Sequence, residues 1–161
     1  MHFLSARNSF RRGRLISALI AIALLSGCSR HKSGHFLYGS NCGICHHGGQ
    51  GMAGSVPPLT GRIDRIASTP EGKRYLAAVL MNGLSGPMRA NGMSYEAEMP
   101  PFRYLSDEEA ALILTYLSGQ GSTVPAPVIT AADVAEARAH RVGASGTASM
   151  REALDREHSV P

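Results

Sequence analysis

Apolar residues recur with helical spacing in two segments near the middle of the chain, and both segments begin with helix-start signals. The first starts at Thr69, which precedes a proline, and stops at Gly83. Its apolar stripe consists of Tyr75, Leu76, Val79 and Leu80. The second starts with the capping-box residues 106–109 and stops at Gly119. The pattern predicts two amphipathic helices, each with one face toward a core.

Weaker patterns predict further helices on either side of this pair. Residues 34–44 fit a helix in which Gly34 and Tyr38 share a face, and Tyr116 is expected to meet that face. Thr130 is the cap of a short helix over residues 130–138, whereas residues 150–158 fit either a short helix or a disordered tail. Turn signals keep residues 83–103 irregular, and no segment favours a strand. An all-α fold is therefore predicted.

The N-terminal segment has the pattern of an export signal. Four arginines at positions 7, 11, 12 and 14 precede an apolar run over residues 15–25, which is too short to span a bilayer. The run ends in Leu25-Ser26-Gly27-Cys28, which resembles the bacterial lipoprotein signal. That resemblance implies a signal peptide over residues 1–27, a lipidated Cys28 and a tether over residues 28–33. The alternative is a secreted protein in which Cys28 is a stray thiol.

The formal charge of +4 does not indicate a nucleic-acid partner. The four arginines of the predicted signal account for the whole excess. From residue 28 onward, twelve basic residues face twelve acidic ones, so the mature protein is about neutral.

The sequence Cys42-Gly43-Ile44-Cys45-His46 is typical of a covalent haem attachment site. Positions i, i+3 and i+4 of a helical turn share one face, so Cys42, Cys45 and His46 can all face one planar ligand. Two thioether bonds would fix the ring, and His46 would bind the iron. A zinc site or a thioredoxin-like dithiol are the alternatives, but the chain lacks the further cysteines of the first and the βαβ pattern of the second.

A second iron ligand is expected from the loop between the two central helices. Of seven methionines, Met88, Met93 and Met99 lie in this loop, and Met99 is favoured because two prolines stiffen the backbone after it. Met93 is the next choice. On the other side of the iron, the Pro57 carbonyl is suited to accept a hydrogen bond from the histidine ligand, although Pro57 also fits a merely rigid loop.

Taken together, these motifs resemble those of class I monohaem cytochromes c over residues 34–120. They are Gly34-x-x-x-Tyr38-x-x-x-Cys42-x-x-Cys45-His46, Pro57-Pro58-Leu59, Asn91-Gly92-x-x-Tyr95-x-x-x-Met99-Pro100-Pro101 and Leu105-Ser106-Asp107-Glu108-Glu109. The resemblance implies one covalent haem c, held by Cys42 and Cys45 and ligated by His46 and Met99, with Pro57 as the hydrogen-bond acceptor. It implies helices around this haem, followed by a C-terminal extension over residues 121–161 with one or two short helices.

The function implied is single-electron transfer rather than enzymatic catalysis. We expect a periplasmic, membrane-anchored carrier between a dehydrogenase or respiratory donor and a terminal acceptor such as an oxidase. Two alternatives remain at this stage: a haem-based sensor or peroxidase-like enzyme with an open sixth position, and a Cys-x-x-Cys thiol oxidoreductase.

Overall fold

Six α-helices form the framework of the computed structural model, which describes residues 32–96 and 98–161. They are α1 (Gly34–Asn41), α2 (Ile63–Ile66), α3 (Pro70–Asn82), α4 (Asp107–Ser118), α5 (Ala131–Ala139) and α6 (Ala144–His158). A 3₁₀ turn (His47–Gly49) and two strands, β1 (Met88–Ala90) and β2 (Met93–Tyr95), complete the secondary structure of these residues. The all-α prediction is confirmed. The predicted signal peptide, Cys28 and most of the tether lie outside the described residues.

The helices begin where the sequence places their caps. The Thr69 side chain accepts a hydrogen bond of 3.0 Å from the backbone N–H of Gly72. Both bonds of the predicted capping box at Ser106 are present, and Thr130 forms a second capping box with Asp133. Because each cap satisfies N–H groups that the first helical turn leaves free, these residues fix where α3, α4 and α5 start.

Helices α1 and α4 cross at Gly34, as the sequence predicted. A Cβ atom at Gly34 would lie 2.8 Å from the Tyr116 Cβ and would also clash with the Leu112 carbonyl. The Tyr116 ring packs against the ring of Tyr38, with 5.7 Å between the centroids. The missing side chain therefore allows the backbones of the two helices to approach closely.

The core lies around α3, which packs against α4, α5 and α6. Met81 on α3, Ile113 on α4 and Val134 on α5 are all fully buried in it. The last helix settles the question left open for residues 150–158, because α6 is helical from Ala144 and buries Leu154. Among the described residues, none of the helices combines the length and the apolar character needed to span a bilayer.

The prediction that residues 83–103 stay irregular was wrong in one part. Met88–Ala90 and Met93–Tyr95 pair as an antiparallel hairpin, with Met88 opposite Tyr95. Its two turn residues, Asn91 and Gly92, both have positive φ, at 49° and 79°. That is the backbone required by the tight turn that best matches the twist of paired strands.

Candidate haem site

Residues 42–46 form a helical turn that continues from the end of α1. The Cys42 and Gly43 N–H groups donate to the Tyr38 carbonyl at 2.8 and 3.0 Å, and the His46 N–H donates to the Cys42 carbonyl at 2.9 Å. Cys42 and His46 are buried, whereas Cys45 is exposed. The turn thus brings the two thiols and the imidazole to one cleft, as their spacing predicted.

The glycine-rich loop after His46 folds back, so that the Pro57 segment lies beside this histidine. Met52 and Val56 form a two-bond bridge, with N···O distances of 2.7 and 2.8 Å. Gly51, which has a φ of 68°, lies so close to this segment that a Cβ would be 2.7 Å from the Pro57 carbonyl carbon. Only glycine combines that backbone conformation with so close an approach.

His46 is held neutral beside Pro57. Burial lowers the pKa of His46, and the nearby backbone carbonyl of Pro57 opposes this shift only in part. The buried Nδ1 atom has no well-formed hydrogen bond to any described residue. A neutral imidazole is the form that binds a metal ion. The hydrogen bond to Pro57 stays a prediction, although the fold does bring the two residues together.

The segment that contains Met99 also lines the cleft. The Met99 backbone forms two hydrogen bonds with Leu84, of 2.8 and 3.0 Å, and the Phe102 N–H donates to the Leu80 carbonyl at 2.7 Å. Gly83, with a φ of 77°, packs against the Met99 carbonyl so closely that a Cβ would lie 2.6 Å from that oxygen. The end of α3 therefore fixes the main chain of Met99 on both sides.

The residues around His46 and Met99 line a largely apolar cleft of about 210 Å³. Its lining residues are Asn41, Cys42, Cys45, His46, Ser55, Val56, Pro57, Leu84, Met88, Tyr95, Glu98, Met99, Pro100 and Phe102. All five residues predicted to bind the cofactor are among them.

Met88, rather than Met93, is the second methionine at the cleft. Met93 does not line it: 47% of Met93 is exposed, and its sulfur accepts a hydrogen bond from the Tyr95 hydroxyl at 3.4 Å. Sequence reasoning kept Met88 as a candidate but ranked it behind Met93, because it did not foresee the hairpin. The Asn91-Gly92 pair was the available signal, since it specifies a hairpin turn and thereby the pairing of Met88 with Tyr95.

The cysteine environment does not favour thiol chemistry. Burial raises the pKa of the Cys42 thiol to about 11, and the neighbouring Cys45 adds to the shift. Nucleophilic cysteines of dithiol oxidoreductases have a lowered pKa instead. Cys42 is thus protonated near neutral pH and is not preorganised as a thiolate.

The donor set fits a haem. The residues that line this one apolar cleft include two cysteines, a histidine and a methionine, and the backbone of Pro57 lies near His46. Bound there, the haem supplies an iron that changes oxidation state by one electron. A small helical fold around such a site defines a c-type cytochrome with a single haem.

The comparison with protein families gives the same class. The family model described as "Cytochrome C oxidase, cbb3-type, subunit III" matches residues 29–117, which is more than half of the chain. The chain belongs to this cytochrome c family, as a class I monohaem c-type cytochrome. Its cofactor is therefore covalent haem c, and it is an electron carrier rather than an enzyme.

Two proteins from Thermus thermophilus, both called cytochrome c-552, are similar to the chain. The first is 36% identical over 101 residues, which cover 62% of this chain and 68% of that protein. The second is 39% identical over 80 residues, which cover 49% of this chain and 61% of its own length. The chain thus spans about two thirds of the length of these relatives.

Proposed function

We propose that this protein is a lipid-anchored periplasmic electron carrier whose haem c is bonded to Cys42 and Cys45 and ligated by His46 and Met99. The bound haem would supply a one-electron couple, and His46 and Met99 would hold its iron. Single electrons pass from a dehydrogenase or respiratory donor to a terminal acceptor.

The observation that carries this proposal is that a single apolar cleft is lined by Cys42, Cys45, His46 and Met99. The backbone of Met99 is fixed by Leu84 and Gly83, so little backbone entropy is lost when this residue binds a metal. Because the site is preorganised on both sides, little rearrangement accompanies each electron. Methionine as the sixth ligand also raises the reduction potential.

A terminal oxidase is the acceptor class that we favour. The matching family model is described as a subunit of a cbb3-type cytochrome c oxidase, and its match includes the haem-binding turn and Met99. An exported, anchored carrier would share its compartment with such an oxidase. The lipoprotein-type ending at Cys28 supports the anchor.

Visible spectroscopy of the purified holoprotein tests the ligand assignment. We expect a low-spin spectrum in both oxidation states, with the weak long-wavelength band of Met-ligated ferric haem. Met99→Ala should lose this band and give a high-spin iron that binds carbon monoxide when reduced, because removing the sulfur opens the sixth position.

Two matched variants separate Met99 from its neighbours in the loop. Met88→Leu removes the other sulfur at the cleft, and Met93→Leu removes an exposed one; both should keep the band. If Met88→Leu loses it and Met99→Ala does not, Met88 is the ligand. A wild-type protein with a high-spin spectrum and free carbon monoxide binding would instead support the sensor or peroxidase-like alternative.

A further inference from the structure

A reciprocal pair of arginines joins the C-terminal extension to the loop that contains Met99. Arg138, in the last turn of α5, donates from Nη1 to the Arg103 carbonyl at 2.8 Å and from Nη2 to the Leu105 carbonyl at 2.6 Å. In return, Arg103 donates from Nη2 to the Arg138 carbonyl at 2.7 Å. The Arg138 side chain therefore binds the backbone at Arg103 and Leu105, and the Arg103 side chain binds the backbone at Arg138.

The pair also reaches the helices on either side of the loop. Arg103 Nη1 donates to the Met81 carbonyl at 2.9 Å and to Asn82 Oδ1 at 3.1 Å, both at the end of α3. Arg138 Nε donates to Asp107 Oδ1 at 2.7 Å, at the start of α4. This carboxylate offsets part of the repulsion between the two cations.

The segment that Arg138 holds, residues 103–105, begins four positions after Met99, the proposed iron ligand. Between Met99 and Arg103 lie two prolines, whose φ angles are locked, and Phe102, which lines the haem cleft. A stiff connection of this kind transmits a displacement of Arg103 to Met99, whereas a flexible one would absorb it. The backbone position of residues 103–105 thus affects the place of the methionine sulfur.

Arg138 itself lies outside the part of the chain that the family model matches, which ends at residue 117. Its side chain is about 29% exposed, so its hydrogen bonds to the two carbonyls are partly shielded from water. Bonds from a charged donor in such a place are stronger than neutral ones. A bidentate fork on two carbonyls is also a geometry that lysine cannot reproduce.

We propose that Arg138 is a positioning residue for the sixth iron ligand. Through its fork on Arg103 and Leu105, the C-terminal extension holds the Met99 loop against the haem and so sets the strength of the sulfur–iron bond. This proposal rests on the Met99 ligation given under "Proposed function". It assigns to the extension a role in tuning the haem, in addition to covering the core.

The test uses the full-length holoprotein with Arg138→Gln and Arg138→Lys. Arg138→Gln should weaken the long-wavelength ferric band, lower the midpoint potential and increase the affinity of the ferric iron for imidazole roughly tenfold, since a looser methionine competes less well. Arg138→Lys should fall between this variant and wild type, because a single ammonium cannot hold both carbonyls.

Two control variants distinguish a role of Arg138 in positioning Met99 from a contribution to the stability of the fold. Asp107→Asn removes the ion pair but leaves the fork on the two carbonyls. It should lower the thermal midpoint, while imidazole affinity stays within twofold of wild type. Arg156→Gln, at an exposed position of α6, should change none of these quantities.

The outcomes are distinct. If Arg138→Gln lowers only the thermal midpoint and leaves imidazole affinity and potential within twofold of wild type, the positioning role is overturned. If the Arg138→Gln protein does not acquire haem, the same measurements on Arg138→Lys test the positioning role. A wild-type protein without the Met–Fe(III) band would overturn Met99 ligation itself, and the role of Arg138 with it.

Discussion

Gly34 determines how closely the first and fourth helices cross. A Cβ at this position would meet the Leu112 carbonyl and the Tyr116 side chain. Tyr116 also packs against the rings of His35 and Tyr38, with centroids 5.4 and 5.7 Å away. Because Tyr38 accepts the backbone bonds that start the haem-binding turn, a shift at this crossing is passed on to Cys42.

Gly34→Ala should therefore destabilise the holoprotein by about 1–3 kcal/mol, because the helices must move apart to admit the methyl group. Gly39→Ala is the matched control in the same helix. A Cβ at Gly39 would meet nothing within 4 Å, so alanine should stabilise by roughly 0.5–1 kcal/mol. Urea unfolding measures both changes, and equal effects of the two substitutions would contradict the close crossing.

At the scale of the elements, Asp64 attaches the segment that follows α4 to the short helix α2. Its Oδ2 accepts bonds from the backbone N–H groups of Ser122 and Thr123, at 3.0 and 3.1 Å, and from the Thr123 hydroxyl at 2.7 Å. Burial alone raises the pKa of Asp64, but hydrogen bonds from the Thr123 side chain and from neighbouring backbone N–H groups outweigh it. The net pKa lies below its usual value.

This shift makes the stability dependent on pH. In the unfolded chain Asp64 takes up its proton near its ordinary pKa of about 3.9, whereas the folded protein resists protonation to lower pH. Its contribution should be fully present above this pKa and be lost as the pH falls through the folded pKa. Asp64→Asn should cost roughly 1–3 kcal/mol at neutral pH, because a neutral amide accepts the three bonds less well.

The measurement is the difference in urea midpoint between wild type and Asp64→Asn from neutral pH down to the acid limit of the holoprotein. The difference should shrink on acidification. Glu157→Gln, at an exposed site, serves as the control for a lost carboxylate. If the difference in urea midpoint stays constant with pH, the negative charge of Asp64 does not contribute to the stability of the fold.

The sequence sufficed for elements whose signals are local. The caps at Thr69, Ser106 and Thr130 set where three helices start, because a cap acts within its own first turn. The Cys42–His46 turn was equally predictable, since the three side chains are neighbours on one helical face. The Gly34 crossing followed from the absence of a side chain at a helical spacing.

Elements stabilised by distant contacts were harder to predict, although the Asn91-Gly92 turn gave a local signal for the hairpin. The hairpin strands have three residues each, too few for an alternating pattern, and the Arg89 carbonyl of β1 is bonded by Arg151 of α6 at 3.0 Å. Helix α6 begins in a stretch of small polar residues and is stabilised by burial of Thr147, Arg151 and Leu154. Both depend on partners far away in the sequence.

At the scale of the whole molecule, the C-terminal helices complete the haem domain. Helices α5 and α6 both pack on α3, and Arg62, buried near the Pro57 loop, bonds the Pro58 and Pro161 carbonyls at 2.7 and 2.6 Å. Together with Arg138, these contacts join the extension to the Pro57 loop and to the loop that contains Met99. The predicted boundary between the cytochrome c domain and the C-terminal extension, at residue 121, remains a prediction, because helices from both segments pack in one core.

The proposed lipid would hold this domain near a membrane surface. Five residues lie between Cys28 and Gly34, and the six steps along the chain allow a reach of at most about 21 Å when fully extended. Cells fed labelled palmitate should yield a wild-type protein that is both labelled and stained for haem on a denaturing gel. Cys28→Ala should lose the label and Ser29→Ala should keep it. An unlabelled wild-type protein would contradict the anchor.

The haem-binding turn is buried on one side and open on the other. Cys42 and His46 are enclosed, whereas Cys45 is exposed and Ile44 is 85% exposed. A redox partner would therefore meet this exposed surface of the turn, next to a cysteine that would hold haem c. Selectivity among partners therefore depends on the shape and charge of the rim. Substitutions there change encounter rates and their salt dependence while the iron keeps its ligands.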